Sequence, residues 1–182
     1  MNCNKIDWKT RMRQLKYCIL IILTSIYLSA CNPRVQHADE FYNNDGDFPY
    51  LRFPLIKPYY VDRADSNSPW RLNLDGLLWA PPPNQDYYYY VEDLEKLSVK
   101  DGIIMAYSPY VDEQANQSIQ DNYYHWFILI PNKKVAVGFT KEEEFLGYVQ
   151  KLGIQQPNWQ APDNVFNQFL KTGCLDWIPD CK

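Results

Sequence analysis

Histidine is scarce in this chain of 182 residues, which contains only His37 and His125. General bases and zinc sites commonly depend on histidine, so this scarcity narrows the chemistry that the chain can perform. The sequence also lacks Gly-x-Ser-x-Gly, Ser-x-x-Lys, His-Glu-x-x-His and Gly-x-x-x-x-Gly-Lys, the linear motifs of common nucleophilic, zinc and phosphate sites. We therefore expect no catalytic residue, no metal site and no cofactor, and we expect that the protein is not an enzyme.

A long hydrophobic run is absent as well. The most apolar stretch, residues 17–28, has about 12 residues, whereas a membrane-spanning helix needs about 20. Five basic residues and a single acid, Asp7, precede this stretch within residues 5–16. A basic region followed by a short apolar core is typical of a secretory signal peptide.

The apolar stretch ends in the tetrapeptide Leu28-Ser29-Ala30-Cys31. This tetrapeptide resembles the lipobox of bacterial lipoproteins, and the resemblance covers residues 1–32. It implies a signal peptide over residues 1–30, a lipid on Cys31, and a mature protein anchored to a membrane on the non-cytoplasmic side of the cell envelope. The residue after the cysteine is Asn32. The enterobacterial signal for retention in the inner membrane resembles Asp at this position, so Asn32 favours the outer membrane. An uncleaved signal anchor is the alternative.

Basic residues become few once the signal peptide is removed. Residues 1–30 contain five of the 18 basic residues and one of the 22 acidic residues, which leaves a net charge of about -8. Nucleic acids and anionic membrane surfaces are bound by clustered Lys and Arg, so this balance argues against both as partners. It favours a protein partner, and an acidic surface is suited to a basic one.

Two of the five cysteines remain for structure, because Cys3 and Cys18 leave with the signal peptide and Cys31 receives the lipid. Cys174 and Cys181 are expected to form a disulfide, since the envelope is an oxidising compartment. Closing so short a loop stabilises the fold by roughly 2.5 kcal/mol on the loop-entropy model. The alternative is a pair of metal ligands, but no histidine lies nearby in the sequence to complete a site.

The mature chain is predicted to contain a flexible tether and one domain. Residues 31–47 are polar with little periodicity, so they are predicted to be the tether, which includes His37. Residues 48–182 are predicted to form a single α+β domain, with an antiparallel sheet of about four to six strands and two C-terminal helices packed on one face. Residues 92–99 fit either a helical turn or a strand. Strands are expected within 48–61 and at 70–75, 87–91, 102–107, 123–130 and 135–139.

Both helices carry start and stop signals. Thr140 and Glu143 resemble a capping box before the first helix, and Gly153 ends it. The second helix is predicted over 164–172, capped by Asp163 and ended by Gly173. The residues expected to face inward are Phe145, Leu146, Val149 and Leu152 in the first helix and Val165, Phe166, Phe169 and Leu170 in the second.

Aromatic residues are abundant, with 15 Tyr, 6 Trp and 8 Phe. Tyrosine is enriched at interfaces because its ring contributes a large contact area and its hydroxyl remains polar. The candidate binding surface is therefore Tyr87, Tyr88, Tyr89, Tyr90, Tyr59 and Tyr60. Ordinary sheet packing, with phenol groups at the rim, is the alternative interpretation.

Carboxylate chemistry needs no linear motif, because two acids at about 5 to 9 Å suffice for glycoside cleavage. The acids at strand ends and in loops are Asp75, Glu92, Asp93, Asp101, Asp112 and Glu113. We expect them to be solvated surface residues. We likewise expect His125 to be a hydrogen-bonded packing residue within a strand.

These observations favour a membrane-anchored envelope lipoprotein that acts as a non-catalytic protein-binding module. Within that class, an immunity or inhibitor protein against an envelope-acting toxin fits a small, acidic, aromatic chain without catalytic motifs. The alternatives are a glycan-binding or envelope-structural lipoprotein and, with the least support, a carboxylate-based hydrolase.

Overall fold

The strands form two separate antiparallel sheets. A computed structural model describes residues 34–43, 50–79, 87–111 and 122–181, and these residues contain eight strands. The first sheet has the order β1-β2-β3-β4 and the second has the order β5-β6-β7-β8. The strands are β1 Leu51–Pro54, β2 Tyr60–Arg63, β3 Arg71–Trp79, β4 Tyr87–Val91, β5 Lys96–Lys100, β6 Ile103–Tyr107, β7 Trp126–Ile130 and β8 Val135–Phe139.

Two of the three strand pairs in the second sheet, β5–β6 and β7–β8, are hairpins with short turns. Lys100 pairs with Ile103 across Asp101 and Gly102, which have φ angles of 52° and 77°. Two consecutive positive φ angles are typical of a type I′ turn, and Asp-Gly is one of its preferred sequences. This dipeptide therefore explains why residues 96–99, part of the stretch 92–99 that fitted either a helical turn or a strand, belong to strand β5. Strands β7 and β8 pair across residues 131–134, as predicted.

Strand β3 is longer than its alternating pattern predicts. The pattern ends at Gly76, but β3 continues to Trp79. Asp75 and Gly76 both have positive φ angles, and the pairing of β3 with β4 shifts between Asn73 and Leu78. The irregularity therefore lets the strand continue beyond the glycine that was expected to end it.

The main hydrophobic core contains residues from both sheets. Phe53, Val61 and Leu72 of the first sheet belong to the same buried cluster as Phe127 and Leu129 of the second. A second cluster covers the opposite face of the second sheet, where Met105, Trp126 and Ile128 are buried. Residues of the main core and of the second cluster alternate along β6 and β7, which explains why both faces of these two strands are apolar.

The two C-terminal helices are present, and each belongs to a different cluster. Helix α1, Glu142–Lys151, buries Phe145 and Val149 in the second cluster. Helix α2, Pro162–Thr172, buries Val165, Phe166 and Phe169 in the main core. The α+β class with antiparallel sheets and two C-terminal helices is thus confirmed. The strand count exceeds the predicted four to six, and the helices do not share one covered face.

Both helix starts differ from the sequence prediction. Lys141, and not Thr140, is the N-cap of α1, and it makes no side-chain capping bond. Helix α2 begins at Pro162, because proline fits the first helical position, where no backbone N–H is needed. Its neighbour Asp163 instead accepts a hydrogen bond from Trp70 Nε1 at 3.1 Å and pairs with Arg63 at 3.1 Å.

Leu146 and Leu170, predicted to face inward, are exposed.

The tether prediction for residues 31–47 is wrong for residues 35–43. The compact unit begins at Val35, whose N–H donates to the Thr172 carbonyl at 3.1 Å. A 3-10 helix, Glu40–Tyr42, follows, and it buries Tyr42. Asp39 contacts Lys57 at 2.7 Å, and this hydrogen bond is the main cause that lowers the pKa of Asp39. The remaining tether residues lie outside the described ranges, except Arg34.

Neither helix in the described part of the chain is long and apolar enough to cross a membrane.

Candidate functional site

The tyrosines of β4 do not share one face. Tyr88 packs against Tyr124 and Phe127 in the core, with ring centroids 5.9 and 6.2 Å away. Burial raises the pKa of Tyr88 to about 12. Tyr89 is 63% exposed, whereas Tyr90 is half-buried. The register shift between β3 and β4 breaks the strict alternation that would have placed Tyr88 and Tyr90 on the same side.

Tyr59 also belongs to the core, with only 2% of its surface exposed. Its inclusion in the predicted binding surface is therefore wrong, whereas Tyr88 is partly buried and packs against the core. Tyr60, Tyr89 and Tyr90 remain accessible. The side chain of Tyr87 lies outside the described atoms.

A half-buried network of Arg, Tyr and acidic side chains covers part of the first sheet. Adjacent positions bring them together, because Arg52 is opposite Asp62, Asp62 is opposite Arg71, and Asn73 is opposite Tyr90. We call this surface the first-sheet face, and it consists of Arg52, Tyr60, Asp62, Arg71, Asn73, Tyr90 and Glu92.

The contacts within the first-sheet face hold its long side chains in place. The Arg52 guanidinium lies 4.0 Å from the Tyr60 ring centroid, and the Arg71 guanidinium lies 4.9 Å from that of Tyr90. Arg71 donates two hydrogen bonds to one oxygen of Asp62, at 3.1 and 3.2 Å. Asn73 Nδ2 donates to the Tyr60 hydroxyl at 2.7 Å. Each tyrosine is therefore ordered by a cation or an amide.

Two carboxylates on this face are affected by burial. Loss of contact with water is the largest effect on Asp62, and it raises the pKa of that carboxyl against the opposing attraction of Arg71. Burial also raises the pKa of Glu92, where Arg71 opposes the change and Asp62 reinforces it. Arg71 therefore lowers the pKa of both acids, and the charge of Asp62 raises the pKa of Glu92.

Among the other predicted carboxylates, Asp75 lies at the irregularity of β3, Asp93 at a bend and Asp101 in the β5–β6 turn. Asp75, Asp93 and Asp101 have positive φ angles near 50° and are exposed. Asp and Asn tolerate this conformation better than most residues, which explains why aspartates occupy these three positions. Asp112 and Glu113 lie outside the described residues.

His125 takes part in the backbone framework. Its Nδ1 lies 2.9 Å from the Ser108 carbonyl, and its backbone N–H donates to the Phe139 carbonyl at 3.0 Å. The backbone N–H of Ser108 donates in turn to the His125 carbonyl. The ring therefore links the end of β6 to the start of β7.

Two exposed aromatic rings lie near one end of the β3–β4 pair. Trp79 is 55% exposed, and Tyr89 is also exposed. Tyr89 lies close to Gly76, where an added Cβ would be 3.4 Å from the tyrosine ring. Flat exposed rings of this kind can stack on sugars.

An acidic cleft of about 810 Å³ lies between the β5–β6 turn and the C-terminal loop. Asp101, Asp176 and Asp180 line it together with Lys100 and Trp177. The excess of acids over lysine suits a cationic group. None of these acids except Asp101 was singled out from the sequence, because the C-terminal loop is remote from the turn along the chain.

The C-terminal loop is closed by a disulfide between Cys174 and Cys181, as predicted, with Cα atoms 5.4 Å apart. His37 lies beside it, and its Nε2 is 3.8 Å from Cys181 Sγ. Sequence analysis missed this neighbour because the histidine precedes the loop by more than 130 residues.

Comparison with known proteins gives no relative: no family model matches the chain, and neither a curated protein nor a solved structure is significantly similar to it. The lipobox and Cys31 lie outside the described residues. The function must therefore be argued from the surfaces of the domain itself.

Proposed function

We propose that this protein is a lipid-anchored lipoprotein of the bacterial cell envelope that binds another protein through the first-sheet face and has no catalytic role. Within that class, we propose an inhibitor or immunity protein that captures a toxin acting on the envelope. The lipid on Cys31 would keep the domain at the membrane that such a toxin reaches.

The ordered network of Arg52, Tyr60, Arg71 and Tyr90 carries this proposal. Tyr and Arg are enriched among the residues that contribute most to binding at protein interfaces. These side chains are already held by cation–π contacts and hydrogen bonds. Less side-chain entropy is then lost when a partner orders them further, so the face is preorganised for binding.

The charge of the protein supports a basic partner. A net charge of about -8 remains after removal of residues 1–30, as counted from the sequence. A field of this sign accelerates the encounter with a positively charged protein, and added salt screens it. The first-sheet face itself contains both signs, with Arg52 and Arg71 against Asp62 and Glu92. It would therefore fix the orientation of the partner once contact is made.

The test compares one pair of tyrosine substitutions on the first-sheet face with a single control substitution elsewhere. The partner is first recovered by crosslinking and co-purification from native envelopes, and its affinity for the domain is then measured by calorimetry. Tyr60→Ala combined with Tyr90→Ala should weaken binding at least about tenfold, because truncation of an interface tyrosine typically costs more than about 1 kcal/mol.

Tyr110→Ala is the control, since Tyr110 is exposed but is not part of the first-sheet face. It should leave the affinity unchanged. Thermal melting checks that each variant is folded. Unchanged affinity in the folded double variant would contradict the proposed surface.

Glycan binding is the second candidate, favoured by the exposed rings of Trp79 and Tyr89. Retention of the protein on isolated cell wall distinguishes the two functions. If glycan binding is the function, Trp79→Ala and Tyr89→Ala should abolish retention, whereas Tyr60→Ala with Tyr90→Ala should not.

A further inference from the structure

Three side chains with metal-ligand atoms meet at the C-terminal end of α2. His37, Cys174 and Cys181 each place one ligand atom within 4.8 Å of the other two. His37 is 7% exposed, and both cysteines are partly buried. Imidazole and thiolate are the ligands that zinc prefers in proteins.

The backbone around His37 is fixed by several bonds. Its N–H donates to Asn43 Oδ1, and Asn43 Nδ2 donates back to the His37 carbonyl. The preceding contact between Val35 and Thr172 attaches this segment to the end of α2. The position of the histidine is thus independent of the disulfide.

The loop that carries the cysteines is also held by packing. Leu175 and Ile178, between the two cysteines, are each 2% exposed and belong to the main core. The Ile178 N–H donates to the Leu175 carbonyl at 2.9 Å, and the Cys181 N–H donates to the Ile178 carbonyl at 3.4 Å. Breaking the sulfur–sulfur bond would therefore leave the two sulfurs near each other.

The imidazole of His37 has an unused polar atom. Its Nε2 lies 2.7 Å from the Gly173 carbonyl, whereas Nδ1 is buried without a hydrogen-bond partner in the structure described. A buried nitrogen of this kind is unusual in a residue that only packs. Nε2, which lies 3.8 Å from Cys181 Sγ, is the nitrogen that can turn from the Gly173 carbonyl to a metal, while the unpartnered Nδ1 can carry the ring proton.

We propose that His37, Cys174 and Cys181 form a zinc site when the disulfide is reduced. A dithiol reductant gives two electrons and two protons to the disulfide, becomes a disulfide itself, and leaves Cys174 and Cys181 as thiols. Each thiol then loses its proton as its sulfur binds zinc. His37 binds through Nε2, which gives up its bond to the Gly173 carbonyl while the neutral ring keeps its proton on Nδ1. The disulfide and the zinc site exclude each other, so metal binding depends on the redox state.

The distances suit this coordination. Zinc lies about 2.3 Å from sulfur and about 2.0 Å from nitrogen, which puts the ligand atoms of a tetrahedral site about 3.3 to 3.8 Å apart. The present separations of up to 4.8 Å require movements of about 1 Å or less per side chain. Three protein ligands leave a fourth position for water or another ligand.

The test uses cobalt(II) as a spectroscopic substitute for zinc. The full-length protein, extracted in detergent, is titrated before and after reduction with dithiothreitol, with the reductant removed anaerobically. The reduced protein should bind one cobalt ion with intense thiolate-to-cobalt absorption in the near ultraviolet, and zinc should displace it. The oxidised protein should give no such band.

His37→Ala should weaken cobalt binding by the reduced protein at least about tenfold, the scale on which even supporting residues of metal sites act. His125→Ala is the matched control and should bind as the wild type does. X-ray absorption of the wild-type zinc complex should give two sulfur ligands and a histidine nitrogen, which does not depend on the folding of a variant. A folded, reduced protein without the thiolate band, or with equal affinity in the His37→Ala variant, would overturn the proposal.

Discussion

At the scale of single residues, Gly138 on β8 has a specific packing role. A Cβ added at this position would overlap the ring of Tyr124. Tyr124 in turn packs on Tyr88 and Phe127, with centroids 5.9 and 6.5 Å apart. The missing side chain therefore lets an aromatic group of the core lie directly on the strand.

Gly138→Ala should destabilise the protein by about 1 to 3 kcal/mol, because the tyrosine ring would have to move out of a packed position. Gly147→Ala is the control, since Gly147 lies inside α1 with nothing within 4 Å of an added Cβ. That change should stabilise the fold by about 0.5 to 1 kcal/mol, because alanine favours the helix. Denaturant unfolding measures both, and equal effects of the two substitutions would refute this account of Gly138.

Glu92 gives a prediction about pH. Burial raises the pKa of this carboxyl in the folded protein, so folding favours its protonated form. The resulting stability is present below the ordinary pKa and is lost as the pH rises through the raised value. Glu92→Gln should therefore raise the melting temperature at pH 7, and the gain should shrink towards zero below about pH 4.5, the ordinary value. A gain that stays constant between these pH values would argue against burial as the cause.

Residue-level roles that depend on distant contacts were the hardest to predict. His37 lies in a polar segment with no periodicity, and its contact with Gly173 spans 136 residues. Asp163 was predicted to cap α2, but it lies in the first turn of the helix, and Trp70 and Arg63 bind its carboxylate. In both cases the partner is set by tertiary packing, which local sequence patterns do not contain.

At the scale of elements, α1 packs against the second sheet through Phe145, Tyr148 and Val149. Phe145 is fully buried and contacts Trp126, Phe139 and Trp159, with ring centroids 5.1 to 6.0 Å away. The segment after the helix also pairs with the sheet, since Leu97 and Gln160 exchange two backbone hydrogen bonds at the edge strand β5. The helix and this segment together cover one face and one edge of the sheet.

Phe145→Ala should cost about 3 to 5 kcal/mol, the usual range for a buried phenylalanine, because it leaves a cavity among three rings. Leu146→Ala is the control, since its side chain is exposed, and it should change stability by no more than about 0.5 kcal/mol. Chemical denaturation followed by tryptophan fluorescence reports both, because Trp126 and Trp159 lie beside Phe145. Similar costs for the two substitutions would contradict the assigned orientation of the helix.

Strong local signals predicted the elements well. The β7–β8 hairpin follows from two largely apolar runs on either side of a short turn. The ends of both helices follow from Gly153 and Gly173, which have positive φ angles. The division of the strands into two sheets was not predictable in this way. It depends on which strands pair with each other, since β1 to β4 pair in one sheet and β5 to β8 in the other, and this choice has no clear sequence signature.

At the scale of the whole molecule, the lipid anchor connects the domain to its proposed place of action. If Cys31 is the lipidated residue, Cys31→Ser should abolish incorporation of radiolabelled palmitate, because the thiol is the acceptor. The variant should also remain as a precursor that retains residues 1–30. Cys3→Ser is the control and should label normally. Palmitate incorporation into the Cys31→Ser protein would disprove this assignment.

The candidate site was only partly predictable. The tyrosine-rich strand directed attention to β4, and Tyr60 and Tyr90 do lie on the first-sheet face. Arg52, Asp62 and Arg71 were missed, because only the antiparallel register of β1, β2 and β3 brings them side by side. A surface built from three strands has no contiguous signature in the sequence.

The most direct test of protein binding through the first-sheet face is site-specific photo-crosslinking in living cells. A photoreactive phenylalanine analogue is placed at Tyr60, at Tyr90, and at Tyr110 as the control. The account predicts that the first two positions crosslink the same discrete protein and that Tyr110 does not. No crosslink at Tyr60 and Tyr90 in cells that contain the partner recovered from native envelopes, or equal crosslinking at all three positions, would contradict it.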